Sequence, residues 1–156
     1  MHEILKETIK AVMEETADAF FPPEFVIVPR VTVMIGGQDK YEGTNADFTA
    51  IIGFNGDING GMNLAAPTHV TLKLASALAG EELFEIDDMA TDAFGELANI
   101  IAGAVKERLS ADGLYEIGLT PPVVAEGNSH KYNTSLRSTK QYFTVGSAPF
   151  FVEVFY

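Results

Sequence analysis

The sequence predicts an α+β domain in which three helices, two of them long, cover one face of a mainly antiparallel sheet. Three observations predict it. Helix-period and strand-period patterns follow one another in the order helix, three strands, two helices, three strands. The turns joining consecutive strands are short, which favours antiparallel pairing. The first and last helical patterns are each apolar along one side only, as expected of helices lying on a sheet.

The first helix is predicted from Glu3 to Phe21. Leu5, Ile9, Val12, Thr16 and Phe20 recur every three or four residues, and Pro22-Pro23 stops the helix. A strand from Phe25 to Ile35 is rich in Val and Ile, with Pro29 marking an edge or a bulge. Strands Asp47–Phe54 and Asp57–Leu64 flank Asn55-Gly56, a hairpin signal. Gly60 and Gly61 leave room for close backbone approach.

Pro67 opens a short helix at its favoured first position, with Val70, Leu74 and Leu78 on one side and Gly80 ending it. Glu81–Asp87 is a link, and Asp87 or Asp88 caps a long helix that runs to about Leu109. Beyond Pro121-Pro122, Val123–Glu126 is a short strand and Gly127–Thr139 a polar loop. Gln141–Val145 and Phe150–Phe155 are strands joined through Gly146-Ser147-Ala148-Pro149. The two halves hint at a helix-then-strands repeat, without identity to support it.

The chain has 156 residues, is 47% hydrophobic and 21% charged, and is expected to form one domain over its whole length. It has no cysteine, which excludes disulfides, zinc-thiolate sites and thiol nucleophiles. With a net charge of −12 and only 10 Lys plus Arg, it is not expected to bind nucleic acid or an anionic membrane. The N-terminus has no apolar signal segment, and no stretch approaches the roughly 18 apolar residues of a spanning helix. A cytoplasmic location is expected. In that compartment the sequon Asn133-Thr134-Ser135 carries no meaning.

The long helix carries the functional signal. On a helical wheel of about 100° per residue, Phe94, Leu97, Ile100, Ile101, Ala104 and Val105 form a buried arc. Asp92, Glu96, Asn99 and Gly103 stand on the opposite side in a narrow stripe. Asn is a poor mid-helix residue, costing several tenths of a kcal/mol against Ala, and Gly costs up to ~1 kcal/mol. Two readings of Gly95, Gly103, Ala98 and Ala102 stay open on the residues alone. They leave Glu96 and Asn99 proud of a low surface that another protein can approach, or they allow tight packing inside the fold.

The stripe resembles the signature of the CheC/CheX/FliY family, and of its CheX-type phosphatases in particular. That signature is Asp or Ser, three residues, Glu, two residues, Asn, twenty-two residues, Pro; here the positions are Asp92, Glu96, Asn99 and Pro122. The run Gly-Glu-Leu-Ala-Asn-Ile-Ile-Ala-Gly from Gly95 to Gly103 and the strand Gly60-Gly61-Met62-Asn63-Leu64 are also similar to the family's. The resemblance is clear over about residues 45 to 127 and only in outline at the ends. It implies a CheC-like two-layer fold. It also implies a protein phosphatase that hydrolyses the phospho-aspartate of a CheY-like response regulator in chemotaxis signalling. By that resemblance Glu96 engages a receiver lysine and Asn99 holds the attacking water. Asp92 tunes the helix surface, Pro122 fixes the loop at the strand start, and Gly95 and Gly103 belong to the binding surface. The resemblance further implies a homodimer, and Mg2+ supplied by the receiver rather than by a metal site of the chain. The first helix contains no Asn, so one site per chain is expected.

The chemistry suits an acid and an amide. A phospho-aspartate is a reactive mixed anhydride, and phosphoryl transfer asks mainly for positioning and charge stabilisation. An amide donates and accepts hydrogen bonds at once, which suits it to orienting a water. A carboxylate paired with a receiver lysine fixes the register. The rival readings are a non-catalytic binding or adaptor module of the same family, an unrelated hydrolase, and a structural dimer without enzymatic role. The second lacks GxSxG, P-loop and HExxH motifs, and His2, His69 and His130 are scattered. For the third, Phe150–Tyr156 is a segment able to pair edge to edge, though ordinary core packing of its aromatics is the favoured reading.

Overall fold

The computed structural model describes residues 1–30, 41, 43–111, 113, 115–127 and 136–156. In chain order these form α1 (His2–Phe20), β1 (Ile27–Pro29), β2 (Phe48–Gly56), β3 (Gly60–Ala66), α2 (Thr68–Ala79) and α3 (Asp88–Ser110). They continue as β4 (Ile117–Leu119), β5 (Val123–Glu126), β6 (Ser138–Val145) and β7 (Ala148–Phe155). The strands build one antiparallel sheet in the order β1-β6-β7-β3-β2-β4, with β5 also pairing with β2. His130, the sequon and residues 31–35 of the predicted first strand lie outside the described residues.

Alternation along the strands explains the layers. Ala50, Ile52 and Phe54 of β2, Met62 and Leu64 of β3, and Phe150, Val152 and Val154 of β7 share one core with the helices. From α1 come Leu5, Ile9, Val12 and Met13; from α2, Val70 and Leu74; from α3, Phe94, Leu97, Ile101 and Val105. All three helices therefore lie on one face. On the other face Tyr41 stacks on Phe155 at 4.5 Å between ring centroids. Asn63 Nδ2 donates to Thr44 Oγ1 at 2.8 Å.

Several expectations are corrected. Phe20 is 51% exposed, while Phe21 is 7% exposed and takes the core position. The helix ends at Phe20 and Phe21 turns extended, so the wheel no longer applies there. Ile100 and Ala104, placed on the buried arc of α3, are only half-buried. Asn55-Gly56 is not a two-residue turn. The last β2–β3 pair is Phe54 with Gly60, and β2 runs on to pair Asn55 with Gly118 and Gly56 with Ile117. Asp57 Oδ2 accepts from the Glu116 backbone N–H at 2.7 Å, and the loop is drawn toward β4. That strand was not predicted.

The predicted strand Gln141–Val145 begins earlier, at Ser138, so Ser138 and Thr139 belong to the sheet and not to the predicted loop. The segment Phe150–Tyr156 is not an edge, because β7 lies between β6 and β3. Among the described residues the sheet ends at β1 on one side and at β4 with β5 on the other. Gly60 explains how the C-terminus fits beside β3: a Cβ there would lie 1.9 Å from the Phe155 carbonyl oxygen.

Strands β4 and β5 are one strand broken at Thr120-Pro121-Pro122. Proline has no N–H to give the ladder. Thr120 bridges the gap with its backbone N–H to the Gly53 carbonyl at 3.0 Å, and its hydroxyl accepts from the Gly53 N–H at 2.8 Å. This break sets where Pro122 meets α3.

Candidate functional site

Helix α3 is built to hold its outer stripe still. Asp87 is the N-cap, and its carboxylate accepts from the Ala90 backbone N–H at 2.9 Å. Asp88 in the first turn complements the positive end of the helix dipole. Near the other end Arg108 pairs with Glu15 and ties α3 to α1. Between these ends Phe94, Leu97, Ala98, Ile101, Ala102 and Val105 are fully buried. The helix is clamped over the β2 side of the sheet.

The opposite stripe faces outward. Asp92 and Glu96 are exposed; Asn99 and Gly103 are half-buried. Asn99 follows Glu96 by about 4.5 Å along the axis. Neither side chain has a hydrogen-bond partner among the described residues. A Cβ placed on Gly103 meets nothing within 4 Å, so that stretch of helix is open. Met89 continues the same stripe three residues before Asp92 and is 54% exposed. Its spacing made it legible, yet an apolar residue on a polar stripe gave no chemical signal.

Gly95 is corrected. It does not flank the pair on the open surface; it is buried. A Cβ there would lie 3.5 Å from Val124 Cγ2 and 3.7 Å from the Pro122 ring. Ala98 and Ala102 are buried as well. Of the small residues, only Gly103 contributes to a low outer surface. The other three permit close packing, the alternative that composition left open. The fold thereby brings two motif residues together: Pro122 and Val124 seat the start of β5 against the turn that presents Glu96.

The local charge is one-sided. Glu81, Glu82, Glu85, Asp87, Asp88, Asp92 and Glu96 are all exposed, and no Lys or Arg occurs between Lys73 and Lys106. His2 Nδ1 lies 2.8 Å from Thr139 Oγ1, across the fold from this stripe. Among the described residues no three His, Cys, Asp or Glu side chains cluster as metal ligands, and no helix is long and apolar enough to cross a membrane.

Residues 48–145 match the family described as chemotaxis phosphatase CheX. The chain belongs to the CheX family. A curated relative, the CheY-P phosphatase CheX of Thermotoga maritima, is 34% identical over 82 residues, which is 52% of each chain. The chain thus spans about half the length of that CheX. The crystal structure of the chemotaxis protein CheX from Vibrio vulnificus superposes with a TM-score of 0.77 at 18% identity, covering 97% of this chain and 99% of that one. A CheX–CheY–BeF3–Mg2+ complex from Borrelia burgdorferi superposes with a TM-score of 0.70 at 22% identity, covering 95% and 94%. These structures establish the CheC-like fold. The CheX match spans α3, β4 and β5, and so includes every residue of the stripe from Asp92 to Gly103 together with Pro122.

Proposed function

We propose that this chain is a phosphatase acting on the phospho-aspartate of a CheY-like response regulator, with Glu96 and Asn99 entering the receiver's active site. The observation that carries the reading is the pairing of an unengaged carboxylate and an unengaged carboxamide one turn apart on the outer stripe of a clamped helix. The name of the Thermotoga relative and the composition of the Borrelia complex support the partner class.

In this reaction a water oxygen bonds to phosphorus while the bond from phosphorus to the aspartyl oxygen breaks. The receiver regains its carboxylate, and both water protons leave on inorganic phosphate. Asn99 accepts from and donates to the line of attack through its amide, holding the water opposite the leaving oxygen. Glu96 forms a charge-assisted bond with a receiver lysine and sets the depth to which Asn99 reaches. The Mg2+ comes with the receiver, where it neutralises charge on the phosphoryl oxygens.

Asp92 extends the docking stripe by one turn, and Gly103 keeps its far end low. Gly95 and Pro122 act behind the site, fixing how the stripe is presented. The reading treats residues 1–156 as one CheX-like domain working in the cytoplasm, where its receiver is found. Dimerisation is part of it: strand β1, at the end of the described sheet, with Val28 exposed in it and Val26 exposed just before it, is a surface able to pair with a second copy.

The test is phosphate release from purified receivers phosphorylated in the presence of Mg2+. Asn99→Ala is expected to lower the accelerated rate at least about 100-fold, the scale of losing a positioned reactant, with no loss of thermal stability, since Ala is the better helix former. Full activity in that variant would refute the assignment. Unaltered receiver binding without any wild-type hydrolysis would identify an adaptor instead.

A further inference from the structure

We infer that Phe84 and Met89 form an apolar anchor, framed by acids, that docks the receiver at a second point beyond the reacting pair. The inference rests on the phosphatase reading above and adds specificity-determining residues to it.

The link before α3 shows the first sign. Leu83 and Ile86 are half-buried, and the Leu83 backbone N–H donates to Ser76 Oγ at 2.9 Å, holding the link against α2. Phe84 between them is 80% exposed, the most exposed large apolar side chain among the described residues. The link therefore turns two apolar side chains inward and leaves the bulkiest one in water. A single exposed apolar residue is ordinary. Here a second follows on the same end of the helix: Met89, 54% exposed, on the Asp92–Glu96–Asn99 stripe.

Position ties the pair to the site. Met89 stands about 10 Å along the axis from Glu96. Phe84 lies within about 11 Å of the Asp87 cap even with the chain fully extended. In the inferred docking, the receiver's surface beside its catalytic pocket lies over this end of α3 when Asn99 enters that pocket. The occupant's chemistry follows from the frame. Glu85, Asp88 and Asp92 are exposed around the two apolar residues, so the matching receiver surface is an apolar recess edged by Lys or Arg. Such a contact sets which receiver binds and how fast it docks rather than the chemical step. Met supplies an adaptable apolar contact and Phe a large rigid one.

The experiment is steady-state phosphate release from a phosphorylated receiver that the wild type hydrolyses, using Phe84→Ser, Met89→Ser and the double variant. Phe84→Tyr and Met89→Leu are the conservative controls. The double variant is expected to raise KM at least tenfold with kcat within twofold and unchanged thermal unfolding, the conservative variants restoring KM. Its KM is also expected to keep the wild type's rise with added salt, because the acids remain. An unchanged KM in the double variant overturns the anchor while leaving the phosphatase reading standing. Altered sedimentation of the chain alone, with KM unchanged, assigns the patch to a second copy and also overturns it. Absence of wild-type hydrolysis on every receiver tried removes both readings together.

Discussion

Two glycines eight residues apart on α3 should respond in opposite ways to the same substitution. Gly103 has open space where its Cβ would stand, whereas Gly95 would meet Val124 Cγ2 at 3.5 Å and Pro122 at 3.7 Å. Leucine at 103 removes a helix-interior glycine at no steric cost, a gain of about 0.5–1 kcal/mol. For a chain of this size that raises Tm by about 1–4 °C. The new side chain stands about 6 Å along the axis beyond Asn99, in the path of an approaching receiver. The expected result is a more stable protein with kcat/KM at least about tenfold lower, which is about 1.4 kcal/mol of lost docking.

Leucine at 95 gains the same propensity but must push Pro122 and Val124 aside. Overpacking costs about 1–3 kcal/mol against that gain of about 0.5–1 kcal/mol, so the net loss is up to about 2.5 kcal/mol and Tm falls by up to about 10 °C. Differential scanning calorimetry and phosphate release, run on both variants, read the two effects separately. A Gly103→Leu protein with wild-type kcat/KM would show that nothing lands on that part of the helix. A Gly95→Leu protein as stable as the wild type would show that β5 yields freely, against its packing on α3.

Other outcomes follow from named contacts. Glu96→Lys is expected to raise KM for the phosphorylated receiver by tenfold or more through like-charge contact, with Glu96→Gln falling between; equal KM values for all three would remove the docking role. Asp87→Ala should cost about 1 kcal/mol through loss of the cap on Ala90, seen as a Tm lower by about 2–4 °C, whereas Asp87→Asn, an equally good cap, should not. Burial raises the Glu153 carboxyl above its ordinary value of 4.5, while Lys140, Ser138 and Asn63 act in the other direction. It therefore binds its proton more tightly folded than unfolded. Its contribution favours the fold fully below pH 4.5 and fades as pH rises through the raised folded value. Glu153→Gln should accordingly gain in Tm relative to wild type as pH rises above 4.5; a difference that stays flat with rising pH would contradict it.

What the sequence disclosed, and what it withheld, divides along the range of the interactions. The α3 stripe was legible because 3.6-residue periodicity acts within one element, and the Asp87 cap and the Gly80 stop are local as well. The misread features depend on distant partners. Gly95 sits at the rim of the buried arc, and its burial comes from Pro122 and Val124, more than twenty residues downstream. Asn55-Gly56 has the composition of a tight turn, yet it is held in the sheet by Gly118 and Ile117. The short strand β4 has only three residues and no alternation of its own to announce it. The aromatic content of β7 favoured core packing, and Phe150 and Phe151 are 1% and 7% exposed, but it did not reveal that β6 and β3 flank the strand.

The position of the pair on a helix rather than a loop is what would make the proposed two-residue site workable. Holding a water in line with a leaving oxygen demands placement to a fraction of an ångström, and elements packed on a core provide it better than loops. On α3 each outward residue is bracketed by inward ones: Glu96 by Gly95 and Leu97, Asn99 by Ala98 on one side and Ile101 a residue beyond Ile100 on the other. The inward set is fixed by β2, β5 and α1, so the outward set needs no hydrogen bonds of its own to stay in place. Leaving Glu96 and Asn99 unengaged therefore costs little order and, on the proposed reading, keeps every donor and acceptor free for a receiver. A site held by its own polar network would have to break those bonds before binding. If the proposed reaction holds, the packing under α3 is in that sense part of its chemistry, although the packed residues face the core and not the outer stripe.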